Sequence, residues 1–320
     1  MAARLLLAAL LALALLAGCD GDETGQPEPR GVTLALDFAP NPVHAGIYTA
    51  LSSGADLRHG VALTLRAPSA STDSLKLLAS GRADVAVVDI HDLGLARERG
   101  EDVVGVGALV DRPLAAVLAE EGVRRPRELE GRRAGVTGLP SDEAVLRAVV
   151  EHDGGDIERV RRVTIGFSAV PSLITGKVAA ATAFWNAEGV TLRRRGFATR
   201  EFRVDRYGAP PYPELVLAVR RRTLDEERKL VDDLLRALAD GTARALRDPG
   251  PALRRIGRLS GARPGLLRAE YDAVRPVLSP TLALDRRRLE AWARFDRRFG
   301  ILRRPLDVGA AFELGLGPAG

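Results

Sequence analysis

Three short stretches concentrate the side chains that could do chemistry. Asp37, Phe38, Asn41 and His44 lie close together, Asp89 and His91 form a second group with Asp92, and Trp185 and Glu188 form a third around Asn186. Carboxylates, amides, imidazoles and aromatic rings suit recognition of a flat polar ring, with stacking on its faces and hydrogen bonds around its edge. The same groups allow a second reading, an extracytoplasmic hydrolase using His91 with Asp89 or Asp92 as its acid–base pair. Hydrolysis through a serine would need a nucleophile elbow, and no Gly-x-Ser-x-Gly occurs. Ser141, in Gly138-Leu139-Pro140-Ser141-Asp142-Glu143, reads as a helix N-cap followed by first-turn acids, and the backbone amides there can also face a polar ligand.

Metal and phosphate chemistry fit poorly. His44, His59, His91 and His152 make no HxxxH or HxH pair, Cys19 is the single cysteine, and neither a Gly-x-Gly-x-x-Gly turn nor a Walker A loop is present. No metal site and no cofactor is expected.

These stretches are placed by an alternation of short apolar runs with longer helical periods. Residues 32–36, 61–65, 85–88 and 103–110 read as buried strands, with helices over 46–53, 74–80 and 92–99 between them. A second series has strands over 134–136, 163–165 and 179–184 and helices over 142–151, 169–176 and 188–195. One more strand, 215–219, precedes a tail that reads as helix over 224–246, 252–259, 265–277 and 289–299. The pattern predicts an α/β protein with largely parallel sheets. Each candidate stretch then starts where a strand ends, the edge at which α/β sheets bind ligands.

The tail has too few strands for a sheet of its own, so it is expected to pack on the first lobe. The expected division is a first lobe of residues 32–112 and 214–320 and a second of 113–213. Two crossings near 111–118 and 207–215 join them, where Pro113 and Pro210-Pro211-Tyr212-Pro213 interrupt regular structure. Two lobes joined twice make a hinge around a cleft.

Composition narrows the partners. At 320 residues, with 46% hydrophobic and 28% charged side chains, the chain is long and apolar enough for two cores. Its formal charge of +5 arises from 47 basic residues interleaved with 42 acidic ones, so Arg193 to Arg195 and Arg286 to Arg288 read as solvated helix faces. Nucleic acid is not an expected partner. At the other end, Arg4 precedes an apolar run over residues 5–16 that stops at Leu16-Ala17-Gly18-Cys19. This looks like a bacterial lipobox: residues 1–18 are expected to be a signal peptide, Cys19 the lipid acceptor and 19–31 a flexible tether.

The wider sequence resembles a known family. Leu36-Asp37-Phe38-Ala39-Pro40-Asn41 with His44-Ala45-Gly46-Ile47-Tyr48, then residues 75–84, Gly138 to Glu143, Gly176-Lys177-Val178, Trp185-Asn186-Ala187-Glu188-Gly189-Val190 and Tyr207-Gly208 are similar to the ABC-transporter substrate-binding proteins of the thiamine-pyrimidine-precursor type. The resemblance runs from about Val32 to Phe312. It implies the type II periplasmic-binding-protein fold, with the ligand ring held between aromatics and a Glu on the aminopyrimidine edge. Phe38 stands where the family usually has Trp, while Asn41, His44, Trp185 and Glu188 agree. After the third strand the family often carries an aromatic in a Tyr-x-Pro-Glu-like run, and here Asp89-Ile90-His91-Asp92 replaces it. A related enzyme branch uses a cysteine-rich iron-binding motif, which a chain with Cys19 alone does not have.

The resemblance therefore implies a lipid-anchored, monomeric, extracytoplasmic receptor rather than an enzyme. It would capture a pyrimidine-like heterocycle by hinge closure and pass it to an ABC permease and its ATPase. Riboflavin, a sulfonate or nitrate are the alternative ligands. Asp37, Phe38, Asn41, His44, Asp89, His91, Ser141, Trp185 and Glu188 are the expected ligand-binding residues.

Overall fold

The computed structural model describes residues 28–68 and 73–318. The expected signal peptide, Cys19 and most of the tether lie outside the described residues. Two five-stranded sheets with helices on their faces make up the body.

The first sheet has the order β2-β1-β3-β10-β4, from Arg30–Ala35 (β1), Val61–Arg66 (β2), Val85–Asp89 (β3), Val103–Ala108 (β4) and Leu215–Arg220 (β10). The second repeats that pattern as β7-β6-β8-β5-β9, from Ala115–Glu120 (β5), Arg133–Val136 (β6), Arg161–Thr164 (β7), Ala180–Phe184 (β8) and Thr199–Arg203 (β9). Central strands such as β3, VAVVD, and β10, LVLAVR, bury nearly every residue and read as continuous apolar runs.

The sheets are mixed rather than largely parallel. β1 runs parallel to β2 and β3, and β6 runs parallel to β7 and β8. β10 is antiparallel to both β3 and β4, and β5 is antiparallel to both β8 and β9. The cause is the pair of crossings: each delivers a strand into the other sheet from the opposite end, where it fills the place between two existing strands. β5 and β9 escape a reading by sequence pattern for different reasons. The alanine-rich AAVLAE of β5 suits helix as well as strand, and TREFR in β9 is an edge strand with Phe202 as its one buried residue.

The two crossings are tied to each other. Glu214, 1% exposed, accepts hydrogen bonds from the Leu114 and Ala115 amides at 2.7 and 3.1 Å, and the Leu109 amide donates to the Leu215 carbonyl at 2.8 Å. A carboxylate on one connection thus closes the backbone donors of the other.

Helices Ala45–Ser53 (α1), Ile90–Glu98 (α4), Pro140–His152 (α5), Ala169–Ile174 (α6) and Glu188–Arg194 (α7) each follow a strand, with Ala55–Arg58 (α2) and Asp73–Ala79 (α3) between them in chain order. The tail adds Arg221–Glu226 (α8), Arg228–Arg247 (α9), Gly250–Ser260 (α10), Pro264–Val274 (α11), Arg286–Arg298 (α12) and Val308–Ala311 (α13). α9 packs along α1 at a close approach: a Cβ on Gly241 would collide with the Gly46 carbonyl and lie 2.7 Å from the Ala50 amide nitrogen. α11 touches both sides of the molecule, packing on the turn Pro42–His44 and on α7. Arg193 to Arg195, Arg286 and Arg287 are exposed on their helices.

Candidate functional site

A cavity of about 360 Å³ opens between the two sheets. From the first sheet it takes the loop after β1, the end of β3 and the start of β10, and from the second the start of β5 and the loops after β6, β7 and β8. Ser260, Ala262, Leu267 and Glu270 of the tail complete the wall. Carboxyl ends of strands from both sheets therefore meet at one place, as the strand-end argument requires.

The loop after β1 is held by its own side chains. Asn41 caps the turn Pro42–His44: Oδ1 accepts from the Val43 amide at 3.0 Å and Nδ2 donates to the Ala39 carbonyl at 3.1 Å. The Asn41 amide donates to His44 Nδ1 at 3.3 Å, which leaves His44 Nε2 to carry the proton and donate to Asp37 Oδ1 at 2.7 Å. His44 is fully buried and does not line the cavity. It fixes Asp37, which does, along with Phe38 and Asn41.

Phe38 is 44% exposed and faces Phe167, 62% exposed, from the loop after β7 of the other sheet. Their ring centroids are 6.2 Å apart with 41° between planes. Two large apolar rings left open to water at a cavity mouth mark a surface that a flat ligand can cover.

The second sheet contributes acids. Gly138, at a φ of 101°, turns the chain from β6 into α5. The Asp142 carboxylate then folds back to accept from the Thr137 amide at 3.0 Å and from the Thr137 hydroxyl. α5 starts at Pro140, so Ser141 stands inside its first turn and is not the N-cap; it does line the cavity. Glu188 opens α7, and its Oε2 accepts from the Phe184 amide at 3.1 Å. Burial pushes the Asp142 and Glu188 carboxyls upward, against the pull of these hydrogen bonds. Glu270, from α11, is raised to about 7 by burial and by the charge of Glu188. Asn186 is 4% exposed, lines the cavity, and its Oδ1 has no hydrogen-bond partner. No cationic side chain stands among the described residues that line the cavity.

Besides His44, two expected site residues sit away from the cavity lining. Trp185, 3% exposed, donates from Nε1 to the Pro113 carbonyl at 3.1 Å, and the Arg203 guanidinium lies over its ring 3.9 Å from the centroid. Its ring is packed against the first crossing rather than open to a ligand. His91 is 1% exposed: Nδ1 meets Asp296 Oδ1 and Oδ2 at 2.8 and 2.9 Å, and Nε2 lies 3.1 Å from the Tyr212 hydroxyl. Burial acts to lower its pKa, but Asp296, then Asp89 and Glu214, more than reverse this and carry it to about 10. Both nitrogens are occupied, so His91 has no free lone pair with which to act as a base on a substrate. Asp89 does reach the cavity, where it also accepts from the His91 amide at 2.8 Å to cap α4. Asp89, His91 and Glu214 form the one cluster of potential metal ligands among the described residues. Within that cluster both His91 nitrogens and Glu214 Oε2 already have protein partners.

Residues 41–252 match the family described as NMT1/THI5 like. The formylaminopyrimidine-binding protein of Halalkalibacterium halodurans is 32% identical over 248 residues, which cover 76% of this chain and 75% of that one. A protein from Legionella pneumophila, named a 4-amino-5-hydroxymethyl-2-methylpyrimidine phosphate synthase, is 23% identical over 88% of this chain and 90% of its own. Among solved structures, the periplasmic aliphatic sulphonate binding protein SsuA of Escherichia coli superposes with a TM-score of 0.74 over 92% of this chain and 95% of that one, at 13% identity. The fold is thus that of the two-lobe periplasmic binding proteins.

Proposed function

Since the chain belongs to the NMT1/THI5-like family, we propose that it is the solute-capturing component of an ABC importer and that it takes an aminopyrimidine related to thiamine precursors. The observation that carries this reading is the acid-lined, cation-free cavity with Phe38 and Phe167 at its mouth. An aminopyrimidine offers flat faces to the two rings and N–H donors to the carboxylates. A sulfonate or nitrate offers neither donors nor positive charge, and carboxylates in the cavity wall disfavour it. That favours the pyrimidine over the anion, although SsuA shares the fold.

Capture is by closure. Residues 32–112 and 214–320 form one lobe and 113–213 the other, and the ligand stabilises the state in which both walls touch it. The closed form then docks on a membrane permease. Catalysis is not part of this reading: His91 is internally occupied, and Cys19 is the single cysteine. Residues 1–18 serve as signal peptide and Cys19 as lipid acceptor, which holds a monomer at the outer face of a membrane. No described helix is long and apolar enough to cross one.

The test is calorimetry of the mature protein with the formylaminopyrimidine, an aliphatic sulfonate and riboflavin, alongside mass spectrometry of whatever co-purifies. Saturable one-to-one binding of the pyrimidine alone is expected. Saturable binding of the sulfonate with no heat from the pyrimidine would overturn the proposal.

A further inference from the structure

Five carboxyl side chains line the cavity: Asp37, Asp89, Asp142, Glu188 and Glu270. The first four already accept hydrogen bonds from His44, the His91 amide, Thr137 and the Phe184 amide. Glu270 has no hydrogen-bond or ion-pair partner among the described residues, and the charge it faces is that of Glu188. Elsewhere in the lining, Asn186 is buried and its Oδ1 is an acceptor without a donor. A half-buried carboxyl with no protein partner, beside a second acid on the same wall, favours a donor that brings positive charge.

Placement supports a ligand rather than a packing role. Glu270 lies on α11, which packs against the turn that follows Asn41 and against the helix that starts at Glu188. The tail thereby brings a carboxylate to the seam where both walls of the cavity meet. Glu270 lies beyond residues 41–252, the part that the family model matches.

We propose that Glu270 is a recognition residue and that, with Glu188, it forms a paired-acid subsite for a protonated nitrogen group, an ammonium or amidinium, on the captured ring. The proposal rests on the solute-capture reading but not on the ring being a pyrimidine. A cation between the two carboxylates cancels their repulsion. A neutral ring leaves the acids facing each other, and one of them must then hold a proton.

The experiment is calorimetry at pH 7.5 on the wild type and Glu270→Gln with two matched probe pairs. One pair is 4-amino-2-methylpyrimidine carrying a 5-aminomethyl or a 5-hydroxymethyl group, and the other is benzamidine against benzamide. The wild type is expected to bind the cationic member of at least one pair tenfold or more tightly than the neutral member. Glu270→Gln should reduce that preference to threefold or less, with thermal melting unchanged or raised because a repulsive charge is gone. A preference that survives in Glu270→Gln overturns the proposal, as does the absence of any preference, or of any binding by a cationic probe, in the wild type. Preference for benzamidine that depends on Glu270, with no binding of either pyrimidine, would sustain the subsite and refute the pyrimidine ligand.

Discussion

Phe38 and Phe167 come from the carboxyl edges of two different sheets and meet with ring centroids 6.2 Å apart. Neither ring is buried by the protein itself, so their contact is available for exchange with a ligand ring. Phe38→Ala and Phe167→Ala are each expected to weaken pyrimidine binding about tenfold, from lost stacking of roughly 0.5 to 1.5 kcal/mol plus lost area. Folding stability should move by less than about 1 kcal/mol in either variant, as for other exposed sites. Calorimetry together with urea unfolding checks both halves; unchanged affinity in both variants would remove the rings from the site.

Trp185 should behave in the opposite way. With its indole buried against Pro113 and capped by Arg203, Trp185→Ala is expected to cost about 3 to 5 kcal/mol of stability as a cavity-forming change. Affinity per folded molecule should fall less than in Phe38→Ala. Urea unfolding and calorimetry on the same sample separate the effects, and a large affinity loss at full stability would return Trp185 to the ligand.

His91 makes the protein alkali-sensitive. Its folded-state pKa of about 10 lies above the ordinary 6.5, so the stability it contributes is complete below about pH 6.5 and is lost as pH rises through 10. Urea midpoints of the wild type are expected to decline over that window. Asp296→Asn, which removes the main partner, should be less stable at pH 7 by about 3 kcal/mol or more and show a shallower decline. An equal slope in both proteins would disconnect the effect from His91.

Glu270 predicts the pH dependence of capture. On the elements packed against its helix the charged or titratable groups include His44, Glu188, Arg193, Arg194, Arg255 and Arg275, and Glu188 is the one whose field raises Glu270. A carboxyl near 7 is protonated below that pH, so a cationic ligand should bind more tightly as pH rises from 6 to 8. In the free protein the same elevation lowers stability as pH rises from 4.5 through 7. Calorimetry with the aminomethyl probe across this range should show the trend in the wild type and a flat profile in Glu270→Gln. A flat wild-type profile would sever capture from this carboxyl.

The proposed anchoring would rest on Cys19, the single cysteine of the chain. Cys19→Ser should leave an unprocessed precursor without lipid, read by mass spectrometry of the membrane fraction. The same lipid-bearing mature form in the variant would refute the lipobox reading.

Strand ends were legible because they depend on local pattern. The runs before Asp37 and Asp89 are apolar and β-branched, and the positions that follow them do reach the cavity. Phe167 was within reach of the same rule, since the strand over 163–165 is legible and Phe167 follows β7 just as Phe38 follows β1. Trp185 and His91 satisfy the rule equally well and yet point into packed interiors, since a pattern of strand and loop does not say which side of the loop a side chain leaves. Glu270 was out of reach: within PGLLRAEYDAV it is an ordinary polar position of an amphipathic helix, and only tertiary packing of the tail brings it to Glu188.

The return of β10 to the first sheet also governs how the chain acquires its structure. Until β10 has been synthesised and has returned between β3 and β4, the first sheet holds two strand edges that cannot pair with each other. The second sheet draws all five strands from residues 115–203 and can complete its hydrogen-bond ladder within that stretch, whereas the first must wait for β10. Sequence separations of more than a hundred residues between β3 and β10 make refolding slow. The strands of the second sheet all precede β10 in the chain, so the sheet that begins first is the last to close.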